Sequence, residues 1–344
     1  MPTKSESDDR SPRLLLTIDV EEDMPDWKIT DPITTANAEA LPRLQEMCDA
    51  LGVKPTYLCT HPMVTQSVPS RILGELARAG RCEIGAHLHP WNTPPYLGIP
   101  GVDADERTIP YYMSRLGPER FAKKLATLTT AVADLVGKAP VSFPRRALRP
   151  RRGDLCGPAA VRLHDRHVGD AAREPRGRRR PRFPRGPRGS LLSEPRGSVR
   201  SGDLPIVEIP VSVSLTRNVP RAVRLAYVRI PAATRIRGIL SRDFLGIVDY
   251  AWLYPARFDL GEMTAAARSL HAAGHPFLNV FFAFERAHPG ASQLVRTRED
   301  ADRCVARLRG ILDHCIRELG AVPATLEEGG RAAREWIAAR GAAR

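Results

Sequence analysis

Hydrophobic positions along this chain fall into two alternating kinds of run. Short apolar or β-branched runs predict buried strands over 13–19, 54–60, 82–86 and 139–143. Between them, apolar residues three and four apart predict helices. The first covers 36–51, with Leu41, Leu44, Met47, Cys48 and Leu51 on one face and Gly52 ending it. A second covers 70–79, with Ser70 as its cap and Gly80 beyond its end. A third covers 118–136, with Phe121, Leu125, Leu128, Val132 and Leu135 in a stripe. Strand alternating with helix predicts parallel strands with helices packed outside them.

The pattern breaks after Phe143 and resumes near residue 204. The second half predicts a strand within 204–213, a short helix within 219–239 and a short strand over 244–248. A helix over 260–273, stopped by Gly274, and a buried strand over 277–282 follow. A long amphipathic helix is predicted over 297–319, with Ala301, Val305, Leu308, Leu312, Cys315 and Ile316 inward. A last strand over 324–326 and a terminal helix over 330–340 complete the set. No repeat or heptad pattern is evident.

Composition sharpens this in two places. The apolar fraction of 42% over 344 residues supports one large α/β unit or two smaller ones. No run of about 18 apolar residues suggests a membrane span. The polar start, residues 1–12, lacks a signal-like apolar stretch and reads as a disordered tail on a cytoplasmic protein. The six cysteines are scattered, with no Cys-x-x-Cys pair, and read as reduced thiols. The net charge of +13 is not spread over the chain. Residues 144–200 hold seventeen Arg, no Lys and five acidic residues, a net of +12, which leaves +1 for the rest. That distribution weakens a nucleic-acid reading, which would rest on this one segment.

Candidate chemistry lies where two predicted strands end. Leu14-Leu15-Leu16-Thr17-Ile18 runs into Asp19-Val20-Glu21-Glu22-Asp23, and Cys82-Glu83-Ile84-Gly85-Ala86 runs into His87-Leu88-His89. Side chains at i and i+2 of a strand share a face, so Asp19 and Glu21 project together, as do His87 and His89. Two imidazoles facing two carboxylates form a mixed N/O site suited to zinc or a similar divalent ion. In parallel α/β barrels, active sites gather at the C-terminal strand ends, where both pairs fall. The loop over 21–35 brings Trp27 to the border of the site. Trp91 suits either stacking on a sugar ring or anchoring its Pro-rich loop. His61, after the second strand, reads as an ordinary loop residue.

The residues 17–21, Thr-Ile-Asp-Val-Glu, resemble the first motif of the polysaccharide deacetylases (the NodB-homology group). Gly85-Ala86-His87-Leu88-His89-Pro90 resembles their histidine motif, and the longer string through Pro95 resembles a divergent bacterial subgroup. The usual motifs carry Asp-Asp and two His four residues apart, whereas this chain has Asp-x-Glu and His-x-His. The resemblance implies a distorted (β/α) barrel and a metal-dependent hydrolase that removes an acetyl group from an N-acetylated carbohydrate. It implies Asp19 as general base and Glu21, His87 and His89 as ligands of a divalent metal, zinc first. Glu22 and Asp23 are alternatives to Glu21, which the two-residue period favours. Trp27, Trp91 and Asn92 are the candidate substrate-binding residues.

Two departures accompany it. Relatives place a His after the strand near residue 282, where it acts as general acid. Here the chain reads Phe282-Ala283-Phe284-Glu285, with His288 nearby. Relatives also continue Ser-Phe as Arg-Ala-Gly-Arg, whereas this chain has Phe143-Pro144-Arg145-Arg146-Ala147. One added C turns the codons TTC CGC GCC GGG CGC into TTC CCG CGC CGG GCG, which encode the residues present. Residues 144–200 are therefore read as an Arg/Pro/Gly-rich, disordered interruption arising from a frameshift, with the original frame regained before Asp203. The expected organisation is a tail over 1–12, a first barrel part over 13–143, the interruption over 144–200, and a second barrel part with C-terminal helices over 201–344. The competing readings are a catalytically impaired carbohydrate-binding relative and, last, nucleic-acid binding through the Arg-rich segment.

Overall fold

The computed structural model describes residues 11–25, 28–98, 105–108, 116–145, 160–163, 207–215, 250–291 and 295–342. Trp27, most of the Arg-rich segment, the helix expected within 219–239 and the strand expected over 244–248 lie outside the described residues. In chain order the described elements begin with β1 (Arg13–Val20), α1 (Leu41–Ala50), β2 (Thr56–Cys59), α2 (His61–Thr65), α3 (Ser67–Arg78) and β3 (Glu83–Ala86). They continue with α4 (Pro118–Val136), β4 (Ser142–Arg145), β5 (Ala160–Leu163), β6 (Val207–Pro210), β7 (Val213–Leu215) and β8 (Tyr250–Trp252). The last are α5 (Leu260–Ala272), β9 (Phe277–Ala283), α6 (Arg298–Arg317), β10 (Val322–Ala324) and α7 (Leu326–Ala342).

The fold is α/β, built on a five-stranded parallel sheet with β1 in its middle. Strand β9 follows one edge of β1 from Arg13↔Phe277 to Asp19↔Ala283. The opposite edge is shared: β10 pairs with Arg13–Leu15 and β2 with Thr17–Val20. Strand β3 then pairs with β2, Cys59 opposite Ala86. Leu14 through Val20 are all buried, the near-continuous apolar run expected of a parallel strand covered on both faces.

The two faces of β1 carry different chemistry. Leu14, Leu16, Ile18 and Val20 join the main core with Leu41, Leu44, Leu73, Leu308 and Leu312 from the helices. Leu15, on the other face, packs with Val207, Ile209, Ala324 and Leu326 in a smaller cluster. The two-residue period places Thr17 and then Asp19 above Leu15 on this second face. Thr17 Oγ1 lies 3.2 Å from Asn279 Oδ1 of β9. That face therefore turns from apolar to polar toward the C-terminal strand end.

Several expectations are adjusted. The helix expected over 36–51 is a 3₁₀ turn at Ala36–Ala40 followed by α1, which starts at Leu41 with Pro42 in its first turn. Ser70 is not a cap, because α3 begins at Ser67 and Ser70 sits one turn inside it. His61 opens α2 rather than lying in a loop. Pro12, assigned to the tail, is buried, and its carbonyl accepts from the Val322 amide at 2.9 Å. The strand expected within 204–213 is two strands, β6 and β7. Pro210 has no N–H to continue a ladder, and Ser212 turns to β9 instead: its amide donates to the Asn279 carbonyl at 3.0 Å and its Oγ accepts from the Asn279 amide at 2.8 Å.

Two small antiparallel sheets stand apart from the parallel one, β4-β5-β6 and β7-β8. Strand β5 falls within the segment expected to be disordered. Ala160-Val161-Arg162-Leu163 is a short run of strand-compatible residues there, and it pairs with β4 and β6 across four positions on each side. No helix among the described residues is long and apolar enough to cross a membrane.

Candidate metal centre

The sheet sets the site before any side chain is considered. Val20, Cys59 and Ala86 end β1, β2 and β3 at one level of the ladder. Two hydrogen bonds carry the pairing one step further: Thr60 N–H donates to Val20 O at 3.1 Å, and His87 N–H donates to Cys59 O at 2.8 Å. Glu21, Thr60 and His87 therefore leave the sheet together. Glycine at 85 makes the approach possible. A Cβ there would stand 2.7 Å from Leu58 Cδ2 and 2.7 Å from the Ser142 carbonyl.

Beyond the ladder, Glu21, His87 and His89 each offer a ligand atom, and the three atoms lie within 4.8 Å of one another. Glu21 Oε1 is 3.4 Å from His87 Nδ1 and 3.5 Å from His89 Nε2. Ligands about 2.0–2.2 Å from a tetrahedral ion stand about 3.3–3.6 Å apart. The two contacts fit that spacing without rearrangement, and the group could hold a metal ion. Asp19 Oδ1 approaches the same histidine, 3.7 Å from His87 Nδ1. Asp19, His87 and His89 are buried, and Glu21 is partly exposed.

Neighbouring carboxylates decide which atoms face the ion position. Glu22 Oε1 lies 3.1 Å from His89 Nδ1 and accepts from Trp91 Nε1 at 2.9 Å, while Glu22 Oε2 accepts from Thr60 Oγ1 at 2.9 Å. With Nδ1 engaged, His89 presents Nε2 to Glu21. A histidine ligand whose second nitrogen meets a carboxylate is a recurrent metal-site device, because it fixes the ring and raises its basicity. Asp23 is committed elsewhere: it accepts from the amides of Ala36 and Asn37 at 2.7 and 3.0 Å, capping the 3₁₀ turn. Asn37 then donates to Glu21 O at 2.9 Å and holds that backbone in place. Of the three carboxylates that compete in sequence, Glu21 faces both imidazoles, Glu22 buttresses one of them, and Asp23 anchors the following turn.

The electrostatics follow from this packing. Burial alone would lower the His89 pKa, but Glu21 and Glu22 together outweigh it and raise it to about 9. Burial pushes Glu22 up, yet the facing His89 and its hydrogen bond bring it below the ordinary glutamate value. A metal ion bound here would have to displace the proton that His89 holds.

The remaining expected residues divide. Trp91 is buried, its ring 4.3 Å from that of His89 and its N–H on Glu22, so its described contacts brace the histidine. Asn92 is buried beside it; its Oδ1 accepts from Thr93 Oγ1 at 3.1 Å, and its Nδ2 finds no acceptor among the described residues. Ala283, the residue after Phe282 where the resemblance would place a histidine, is buried. The Nδ1 of His288 is buried with no hydrogen-bond partner among the described residues.

Sequence reasoning missed the roles of Thr60, Glu22 and Asn37. Glu22 was visible only as a rival ligand, since the two-residue period that sets Glu21 beside Asp19 assigns Glu22 to the other face and gives it no partner there. No protein-family model, curated protein or solved structure was found to match this chain.

Proposed function

We propose that the protein is a metal-dependent hydrolase that removes an acetyl group from an N-acetylated carbohydrate, on a deacetylase-like barrel. The observation that carries this reading is the meeting of Glu21, His87 and His89 around one small volume, with Asp19 beside them. Glu21, His87 and His89 would hold the ion, zinc in this reading, because two imidazoles and one carboxylate are a common catalytic zinc set. Such an ion polarises a carbonyl oxygen and lowers the pKa of a water. Asp19 is the general base: its carboxylate stands at the His87 edge of the cluster and takes the proton of the attacking water. Glu22 and Trp91 keep His89 oriented, and the partly exposed Glu21 marks the open side from which substrate arrives. The acetyl-amide class and the carbohydrate rest on the resemblance of the two motifs. Trp27 is the candidate sugar contact; Trp91 and Asn92, expected beside it, are buried, and the described contacts of Trp91 brace His89.

The test is metal content. The full chain is expected to carry one divalent ion per molecule, and the double variant H87A/H89A to carry none. Equal metal in both would end the assignment. A second reading, a carbohydrate-binding relative without turnover, is favoured by Ala283, which supplies no acid at the position after Phe282. Acetate release from a chromogenic acetyl substrate with added zinc separates the two, since loss of a general acid costs about 10²–10⁴ in rate. The nucleic-acid reading through the Arg-rich segment ranks last, and it predicts binding that falls steeply with salt.

A further inference from the structure

Helix α4 carries a lysine where a core residue belongs. Lys124 precedes Leu128 and Val132 by four and eight positions, and these three are the buried residues of the helix. Its side chain is fully buried, as is that of Glu106, 3.3 Å from it. The ammonium does more than meet this counter-ion. Nζ donates to the Pro90 carbonyl at 2.8 Å and to the Thr93 carbonyl at 2.6 Å, and lies 5.1 Å from the centre of the Tyr96 ring. Glu106 closes the same loop from its far end by accepting from the Leu97 amide at 2.6 Å.

Burying a lysine is unfavourable unless its donors are satisfied. Burial lowers the Lys124 pKa, and the facing Glu106 opposes that shift. A leucine would have filled the stripe more simply. What the lysine adds is two charge-assisted bonds to backbone carbonyls on either side of Trp91 and Asn92. These carbonyls belong to the segment that begins at His89 and contains the indole donor to Glu22.

We propose that Lys124 is a positioning residue for the metal centre: from α4 it pins the Pro90 and Thr93 carbonyls and so fixes the loop that carries His89 and Trp91. The proposal rests on the reading of Glu21, His87 and His89 as ligands. The hydrogen bonds and ion pair of Lys124 go to Pro90, Thr93 and Glu106 and not to a proposed ligand, so its effect passes through the loop backbone. The pair Lys124–Glu106 clamps the segment 90–97 at its start, its middle and its end.

The experiment compares the full chain with Lys124→Met, which keeps length and apolar bulk but removes the donors, and with the double variant Lys124→Met/Glu106→Gln, which also removes the opposing buried charge. Two readouts are taken: cobalt(II) affinity followed by the visible absorption of the bound ion, and hydrogen exchange of the peptide spanning 87–97 in metal-free protein. The expected result is a loss of about 10- to 100-fold in cobalt affinity, the range for residues supporting a ligand. Exchange should rise in 87–97 while the peptides of β1 and β9 stay protected. If Lys124→Met fails to fold, the double variant carries both measurements. Unchanged affinity and unchanged local exchange in a folded variant overturn the proposal while leaving the metal centre standing. Exchange that rises evenly across the chain also overturns it, since that marks a general packing role. An unmodified chain that binds no cobalt overturns the metal reading itself, and the role of Lys124 with it.

Discussion

At the level of single residues, the centre separates groups that could hold an ion from groups that position them. Glu22 is the clearest case of the second kind. It accepts from Trp91 and Thr60 and lies against His89 Nδ1, so both of its oxygens are engaged within the protein. Glu22→Gln preserves size and leaves all three proposed ligands in place, but it puts an amide where a carboxylate faced the imidazole. One amide oxygen cannot serve all three partners. Metal affinity measured by calorimetry is expected to fall about 10- to 100-fold, with stoichiometry unchanged at saturation. Full retention of affinity would show that His89 needs no carboxylate at Nδ1.

At the level of elements, the strands deliver the ligands, and their delivery is sensitive to a single methyl group. Gly85 lies against Leu58 and the Ser142 carbonyl, two residues before His87. Gly85→Ala is expected to cost about 1–3 kcal/mol, the usual range for overpacking, because the backbone of β4 cannot move aside as a flexible side chain would. The urea midpoint should fall accordingly, and an unshifted midpoint would mean that β4 yields. The elements themselves were legible to different degrees. Helix α4 spans the 118–136 that its apolar spacing predicts, and β1 and β9 read directly as buried strands. The trio that could hold an ion was marked by alternation, since the runs of β1 and β3 continue into Asp19-x-Glu21 and His87-x-His89. What alternation could not show is which groups off the shared face support those residues, which is why the roles of Glu22, Thr60 and Asn37 emerged only in three dimensions. Lys124 left a trace, a lysine in register with Leu128 and Val132. A pattern search counts such a residue as polar and moves on.

Across the whole molecule, the two ends of the parallel sheet carry opposite assignments. The C-terminal end holds the candidate centre, and the N-terminal end is closed by another buried acid, Glu83 at the start of β3. Its Oε2 accepts from Thr56 Oγ1 at 3.0 Å and from the Glu327 amide at 2.9 Å, and its Oε1 accepts from Ser142 Oγ. Thr56 Oγ1 in turn accepts from the Leu326 amide at 2.9 Å. One carboxyl group thus ties β2, β3 and β4 to the first turn of α7, where helix amides need acceptors. Burial raises its pKa above the usual glutamate value, and the hydrogen bonds from Ser142, Glu327 and Thr56 offset only part of that rise. A folded-state pKa above the unfolded one means that the folded chain holds the proton more tightly. The stability this contributes is fully present below the unfolded value of about 4.5 and is lost as pH rises through the folded one. Glu83→Gln removes the titration and keeps the contacts: the amide oxygen can accept from Thr56 and Glu327, and the amide N–H can donate to Ser142 Oγ. Denaturant midpoints of both proteins, followed from pH 4 upward, should therefore diverge, the variant gaining on the parent with each step above about 4.5. A constant difference across that range would mean that Glu83 binds its proton equally in the folded and unfolded chains.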